Sequence, residues 1–274
     1  MAEFEDKETI VGAMRLHYLD WGAKGKQPML LLHGGSQSAH SWDELSRAMR
    51  DDYHVVALNQ RGHGDSSWSK TGIYTVSAHM RDIGGFVNAL DLRDMVLIGL
   101  SMGGRNAATY AALHPEKIAR LVIVDIGPET MTKGSENIRR FTSRADILPS
   151  LEAFVERAHE FNPRRPLEQL RERLQWNLRQ LPDGRWTWKY DRRFGNRERK
   201  HNPGTLWPYV PRIKAPTLLV RGTESDVLAH DAAVRFAEAL PNGRLVEVEG
   251  AGHTVPGDNP PVFASVVREF LANA

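Results

Sequence analysis

The strongest constraint on the fold is the stretch Val96-Leu97-Ile98-Gly99-Leu100-Ser101-Met102-Gly103-Gly104. A short apolar run stops at a serine flanked by glycine two residues away on each side, and an alanine-rich helical pattern follows from Arg105 to His114. This predicts a strand, a very tight turn and a helix. A bare Gly-x-Ser-x-Gly match is common in loops, so the flanking pattern carries the weight. Hydrogen side chains at Gly99 and Gly103 let strand and helix approach closely, and the serine between them sits in strained backbone that holds its hydroxyl outward. The free N–H groups of the helix start favour negative charge beside it. Ser101 is therefore a candidate nucleophile.

The rest of the chain repeats the strand-and-helix rhythm. Glu3–Ile10 and Arg15–Trp21 alternate polar and apolar around Gly12, as a hairpin does. Buried-type strands are expected at Pro28–Leu32, Tyr53–Leu58, Val96–Ser101 and Arg120–Ile126, and again at Ala215–Gly222 and Leu245–Val248. Helices are expected at Ser41–Met49, Val76–Leu90, His230–Leu240 and Pro261–Leu271. Such alternation is the signature of an α/β fold with a mostly parallel eight-stranded sheet flanked by helices. After Gly127-Pro128 the rhythm breaks for about 85 residues without a convincing strand. Leu151, Phe154, Val155 and Ala158 share a helical face, as do Leu167, Leu170, Leu174, Leu178 and Leu181. The expected organisation is a core of residues 1–127 and 213–274 with a helical cap, residues 128–212, inserted between strands. The cap is rich in aromatic side chains. Most of them serve as packing, and Phe141, Trp186 and Trp207, with Ser36, are candidates for the substrate pocket.

Composition excludes several functions. The 274-residue chain has no cysteine, which rules out a disulfide framework, a thiolate metal site and a cysteine nucleophile. The start Met1-Ala2-Glu3-Phe4-Glu5-Asp6 is acidic, and no apolar run approaches a membrane span, so a cytoplasmic protein without membrane contact is expected. Residues 127–214 hold 19 Lys/Arg against 11 Asp/Glu, a basic insert in an acidic body. A solvated helical surface accounts for that better than an anion-attracting entrance, and no motif pairs it with nucleic acid.

Together His33-Gly34-Gly35, Arg61-Gly62-His63-Gly64-Asp65-Ser66, Gly99-Leu100-Ser101-Met102-Gly103, Gly222 with Asp226, and Gly252-His253 resemble the α/β-hydrolase superfamily across the whole chain. Within it, lid-bearing serine esterases, lactonases and cofactor-free haloperoxidase-like enzymes share the Ser-Met-Gly-Gly elbow. A serine hydroxyl needs a base. Among 11 histidines His253 is preferred, because its Gly-rich loop follows a strand and gathers at the carboxyl edge of the sheet with Ser101. The resemblance implies Asp226 as the carboxylate orienting His253, with Asp125, at the end of the preceding strand, as an alternative acid. It implies an oxyanion hole from the backbone N–H groups of Gly35 and Met102. The Gly62-His63-Gly64 turn is expected to be structural, and Asn59 stands where the family commonly has an acid, which puts the stability of that turn in question.

The implied reaction is hydrolysis of a small-molecule carboxylic ester or lactone through an acyl-serine, with no metal and no organic cofactor, by a monomer or a homo-oligomer. Serine at the elbow argues against the branches that use aspartate there. Carbon–carbon bond hydrolases share Ser-Met-Gly-Gly, but Thr254-Val255-Pro256-Gly257 lacks the tryptophan associated with them. Perhydrolysis or haloperoxidation is the other enzymatic alternative, and a slow-turnover ligand-binding receptor is the alternative of another class.

Overall fold

In a computed structural model that describes residues 3–194 and 205–273, eight strands form one sheet in the order β1-β2-β4-β3-β5-β6-β10-β11. Their ranges are Glu5–Val11 (β1), Met14–Asp20 (β2), Pro28–Leu32 (β3), His54–Leu58 (β4), Met95–Leu100 (β5), Ile118–Val124 (β6), Thr217–Gly222 (β10) and Gly243–Val248 (β11). β1 and β2 are antiparallel, β2 pairs antiparallel with β4, and every later pairing in this sheet is parallel.

Strand periodicity sorts the apolar side chains into two cores. Leu30, Leu32, Val56, Leu58, Leu97, Leu121 and Ile123 pack on one face, while Met29, Leu31, Val55, Val96, Ile98, Val122 and Val124 pack on the other. Helices Val76–Ala89 (α2), Met102–Leu113 (α3) and His230–Ala239 (α7) cover the first face through Phe86, Ala107, Ala111 and Phe236. Helices Asp43–Met49 (α1) and Pro260–Asn273 (α8) cover the second through Leu45, Met49, Phe263 and Val267. Both faces are buried, which is why the central strands read as continuous apolar runs.

Between β6 and β10 the chain leaves the sheet. Thr132–Thr142 (α4), Leu151–Phe161 (α5) and Leu167–Asn177 (α6) are helical. The insert is not helical throughout. Ile147–Leu148 (β7), Leu178–Gln180 (β8) and Trp186–Trp188 (β9) form an antiparallel sheet in the order β7-β9-β8. The helix expected to carry Leu178 and Leu181 stops at Asn177, and Leu178 opens β8 instead. Strands of two and three residues offer too few alternations to be read against a helical pattern. The local signal was Pro182-Asp183-Gly184, where Gly184 takes φ +85° and closes the β8–β9 hairpin. This segment has a core of its own in Phe154, Val155, Leu170, Leu174, Leu178 and Trp188. Part of it, residues 195–204, lies outside the described residues.

Asn59 is buried and fully engaged. Its side-chain oxygen accepts the Ala39 amide at 2.7 Å, and its side-chain nitrogen lies 2.8 Å from His17 Nδ1. The turn keeps its hydrogen bonds without an acid.

Candidate active site

The β5–α3 turn has the geometry its glycines predict. Ser101 has φ 53° and ψ −116°, a conformation that costs a non-glycine residue on the order of 1–3 kcal/mol. A Cβ on Gly99 would stand 2.2 Å from the Gly103 carbonyl oxygen, and one on Gly103 would stand 2.0 Å from the Leu32 oxygen. Both approaches are to backbone, so neither glycine can be replaced without moving a strand or the helix. Six non-glycine residues have positive φ among those described, and three of them, Ser36, Ser101 and Asp125, lie in this one region.

His253 is held at the end of the loop after β11. Its Nε2 lies 2.9 Å from Ser101 Oγ and its Nδ1 lies 2.7 Å from Asp125 Oδ2. Asp125 is wholly buried at the end of β6, and its own amide donates to Val220 O at 2.8 Å. Nδ1–H donates to the carboxylate, which leaves the Nε2 lone pair facing the serine.

The carboxylate on His253 is thus Asp125, and the expectation of Asp226 is corrected. Asp226 Oδ2 accepts from Asn137 Nδ2 at 2.7 Å, on α4. In the same loop Ser225 donates to Asp125 Oδ2 at 2.5 Å, while Asp226 faces α4. The backbone there packs closely on α4, since a Cβ on Gly134 would lie 2.3 Å from the Asp226 carbonyl oxygen.

Met102 follows Ser101 and opens α3, so its amide has no intrahelical acceptor, and among the described residues neither it nor the Gly35 amide has a backbone acceptor. The Gly35 loop is fixed from below. Gln60 donates its amide to His33 Nε2 at 3.0 Å and its side chain to His33 O at 2.7 Å, while Asn106 of α3 donates to Gln60 Oε1 at 2.7 Å. One network therefore sets the Gly35 loop and the helix that carries Met102.

Of the expected pocket residues, Ser36 follows Gly35 with φ 61°. Phe141 and Trp186 pack into the core of the insert with Trp188, and Trp207 packs edge-on against Phe236 under the sheet. Two aromatic residues not singled out from the sequence approach the site. Phe194 lies against Gly35, 3.3 Å from where a Cβ would be, and meets His63 edge-on. Tyr190 is buried, stacks on His63 and has its hydroxyl beside Ser36. Residues 190–194 are docked by Asp191, whose amide donates to Gly62 O at 2.8 Å and whose carboxylate accepts Tyr74 Oη at 2.5 Å. No sequence period marks them, because they lie in an irregular stretch placed by one buried aspartate.

A second buried carboxylate ties the insert to the histidine loop. Asp258 accepts Arg165 Nε at 2.7 Å, Asn162 Nδ2 at 2.9 Å and Thr254 Oγ1 at 3.1 Å, and its other oxygen accepts the Gly252 amide at 3.0 Å. Residues on both sides of His253 thus hang from one acid. Burial works to raise the Asp258 pKa, but the Arg165 charge and these hydrogen bonds outweigh it and hold the group ionised.

Under the Gly35 loop lie three buried histidines. Burial lowers His63 to about 4 and His79 to about 3, and pushes His33 well below its ordinary range. Their neighbours are one another, the Arg61–Asp82 ion pair and Asp191. His63 Nδ1 meets Arg61 O at 3.0 Å, while its Nε2 and His79 Nε2 are buried without hydrogen-bond partners among the described residues. The unfolded chain binds protons at these sites near pH 6.5, where the folded chain does not. Their contribution is intact above that pH and is lost as pH falls toward 4. His79→Leu is expected to be near-neutral at pH 8 and to flatten the fall in Tm between pH 6.5 and 4.5; melting curves at both ends check this.

Comparison with known proteins follows the same lines. A family model described as alpha/beta hydrolase fold matches residues 27–260. The chain belongs to the α/β hydrolase fold family. This α/β hydrolase is 28% identical over 270 residues to Esterase Rv0045c of Mycobacterium tuberculosis, covering 95% of this chain and 88% of the esterase. It is 25% identical to 2-(acetamidomethylene)succinate hydrolase of Mesorhizobium japonicum, over 98% of this chain and 95% of that protein. The crystal structure of E-2-(Acetamidomethylene)succinate Hydrolase matches the α/β hydrolase described here with a TM-score of 0.88 at 23% identity, over 98% of this chain and 99% of that one. Among the described residues no helix is long and apolar enough to cross a membrane.

Proposed function

We propose that the chain hydrolyses small carboxylic esters or lactones through an acyl-serine intermediate, with Ser101 as nucleophile, His253 as acid–base and Asp125 as the orienting carboxylate. The observation that carries this reading is the 2.9 Å contact between His253 Nε2 and Ser101 Oγ, with Asp125 behind the ring at 2.7 Å. Ser101 Oγ attacks the carbonyl carbon while its proton passes to Nε2. The oxyanion forms toward the N–H groups of Gly35 and Met102, and each such donor is worth about 10²–10³ in rate. Collapse expels the alcohol, which takes the proton from the imidazolium. Water then repeats the sequence on the acyl-enzyme and releases the acid. Residues 128–212 act as the cap, and Tyr190 and Phe194 give the acyl side of the pocket its aromatic wall, which favours short to medium apolar acyl groups.

Pre-steady-state mixing with p-nitrophenyl acetate and butyrate tests this. A burst near one equivalent of p-nitrophenol followed by steady turnover is expected, and a lactone panel followed by proton release then separates esterase from lactonase. One equivalent without turnover on any substrate would replace the reading with a slow-turnover receptor.

A further inference from the structure

Ser225 is buried in the loop after β10, and its three hydrogen-bonding positions are all used. Its oxygen accepts the Val227 amide at 3.1 Å and the Leu228 amide at 3.2 Å. A hydroxyl has two lone pairs and one hydrogen. With both lone pairs taken, the hydrogen points along the remaining contact, the 2.5 Å approach to Asp125 Oδ2. That same oxygen receives Nδ1–H of His253, and the other, Oδ1, receives the Gly222 amide at 3.2 Å. Three donors, from the end of β10, the loop after it and the loop after β11, thus converge on a carboxylate that sits on left-handed backbone at φ 48°.

We propose that Ser225 is a positioning residue: its hydroxyl, locked by two amides, pins Oδ2 of Asp125 onto Nδ1 of His253. The proposal rests on the reading of Ser101, His253 and Asp125 given above. Two consequences separate it from mere packing. Ser225 acts only through Asp125, so its removal matters only while the carboxylate is present. Its donated hydrogen also draws off part of the carboxylate's charge, so losing it lets Asp125 hold an imidazolium more firmly.

The test uses diisopropyl fluorophosphate, which needs no knowledge of the substrate. Ser101 Oγ forms the P–O bond, fluoride leaves and the serine proton goes to His253, so the inactivation rate reads the activated hydroxyl directly. For Ser225→Ala the limiting inactivation rate at pH 8 is expected to fall about tenfold, with the concentration for half-maximal rate within about twofold, since a buried charge-assisted hydrogen bond is lost. The acid limb of the pH profile is expected to move to higher pH. In an Asp125→Ala background, adding Ser225→Ala should change the rate by less than about twofold. An equal loss in both backgrounds, or an unmoved acid limb, overturns the proposal. If Ser225→Ala does not fold, Ser225→Cys, with its weaker donor, takes its place: an intermediate loss and shift support the proposal and neither overturns it. An Asp125→Ala enzyme as reactive as wild type would sink the Asp125 assignment itself, and failure of ester turnover with normal phosphorylation by diisopropyl fluorophosphate would sink the substrate reading while sparing Ser225.

Discussion

Asp125→Asn should lower kcat on p-nitrophenyl butyrate about 10³- to 10⁴-fold, and Asp226→Asn should stay within about threefold of wild type. Both substitutions are isosteric and remove one negative charge, so the contrast measures position alone. At Asp125 the surroundings consist of donors: Ser225 and His253 on Oδ2, and the Gly222 amide on Oδ1. An asparagine must turn its NH₂ toward one of them. With the NH₂ at Oδ2 it faces Nδ1, which drives the imidazole proton to Nε2 and leaves Ser101 facing a donor instead of a base. With the NH₂ at Oδ1 the tautomer survives, but an N–H opposes the Gly222 N–H, and no charge remains to stabilise the imidazolium. Among the described residues the Asp226 carboxylate is held by Asn137, 2.7 Å away, and an amide pairs with an amide as well as a carboxylate does. Steady-state kinetics of the two variants, with melting temperatures to confirm folding, decide the matter. The reverse order of losses would return the acid to Asp226.

The same pair of residues marks where sequence reading ends. The Ser101 elbow is legible because its requirement is local. Two glycines, an apolar run before and a helical pattern after are all within ten residues, and the steric demand on Gly99 and Gly103 is met by backbone on adjacent elements. His253 is legible for a similar reason, as the polar residue in a Gly-rich loop leaving the last strand. The acid is different. Asp125 and Asp226 both leave the carboxyl ends of neighbouring parallel strands, β6 and β10, and both are near enough in the sheet to serve. The choice falls to the direction of one side chain in each loop. In the loop after β10 it is Ser225 that meets Asp125, while Asp226 meets Asn137 of α4. No pattern of residue types states which of the two reaches the histidine's carboxylate. The core sheet was legible strand by strand because Leu30, Val56, Leu97 and Leu121 belong to apolar runs long enough to register, whereas the small sheet beside the site depends on pairs such as Ile147 with Thr187, in strands of two or three residues. Residues 190–194 could not be read at all from periodicity, because Asp191 places them through its bonds to Gly62 and Tyr74, more than 100 positions earlier in the chain.

Ser101→Gly is expected to lose activity by about 10⁶, as removal of a triad nucleophile does, and yet to melt at a higher temperature than Ser101→Ala. Both variants lack the hydroxyl and its contact with His253, so they share that loss. They differ in what the backbone allows. At φ 53° and ψ −116° a Cβ is crowded against its own peptide groups, which stores on the order of 1–3 kcal/mol that alanine retains and glycine releases. Glycine also gains freedom in the unfolded chain, which offsets roughly 0.5–1 kcal/mol of that release. The net advantage of about 1 kcal/mol corresponds to a difference in Tm of roughly 2–4 °C for a chain of this size. Calorimetry on the two inactive variants reads it without any contribution from substrate. Equal melting temperatures would mean that the turn is relaxed, and the outward placement of the hydroxyl would then have to come from packing at Gly99 and Gly103 alone. A higher value for glycine would place the strain at the nucleophile itself, held there by the strand and helix on either side because that conformation is the one that sets Oγ 2.9 Å from His253 Nε2.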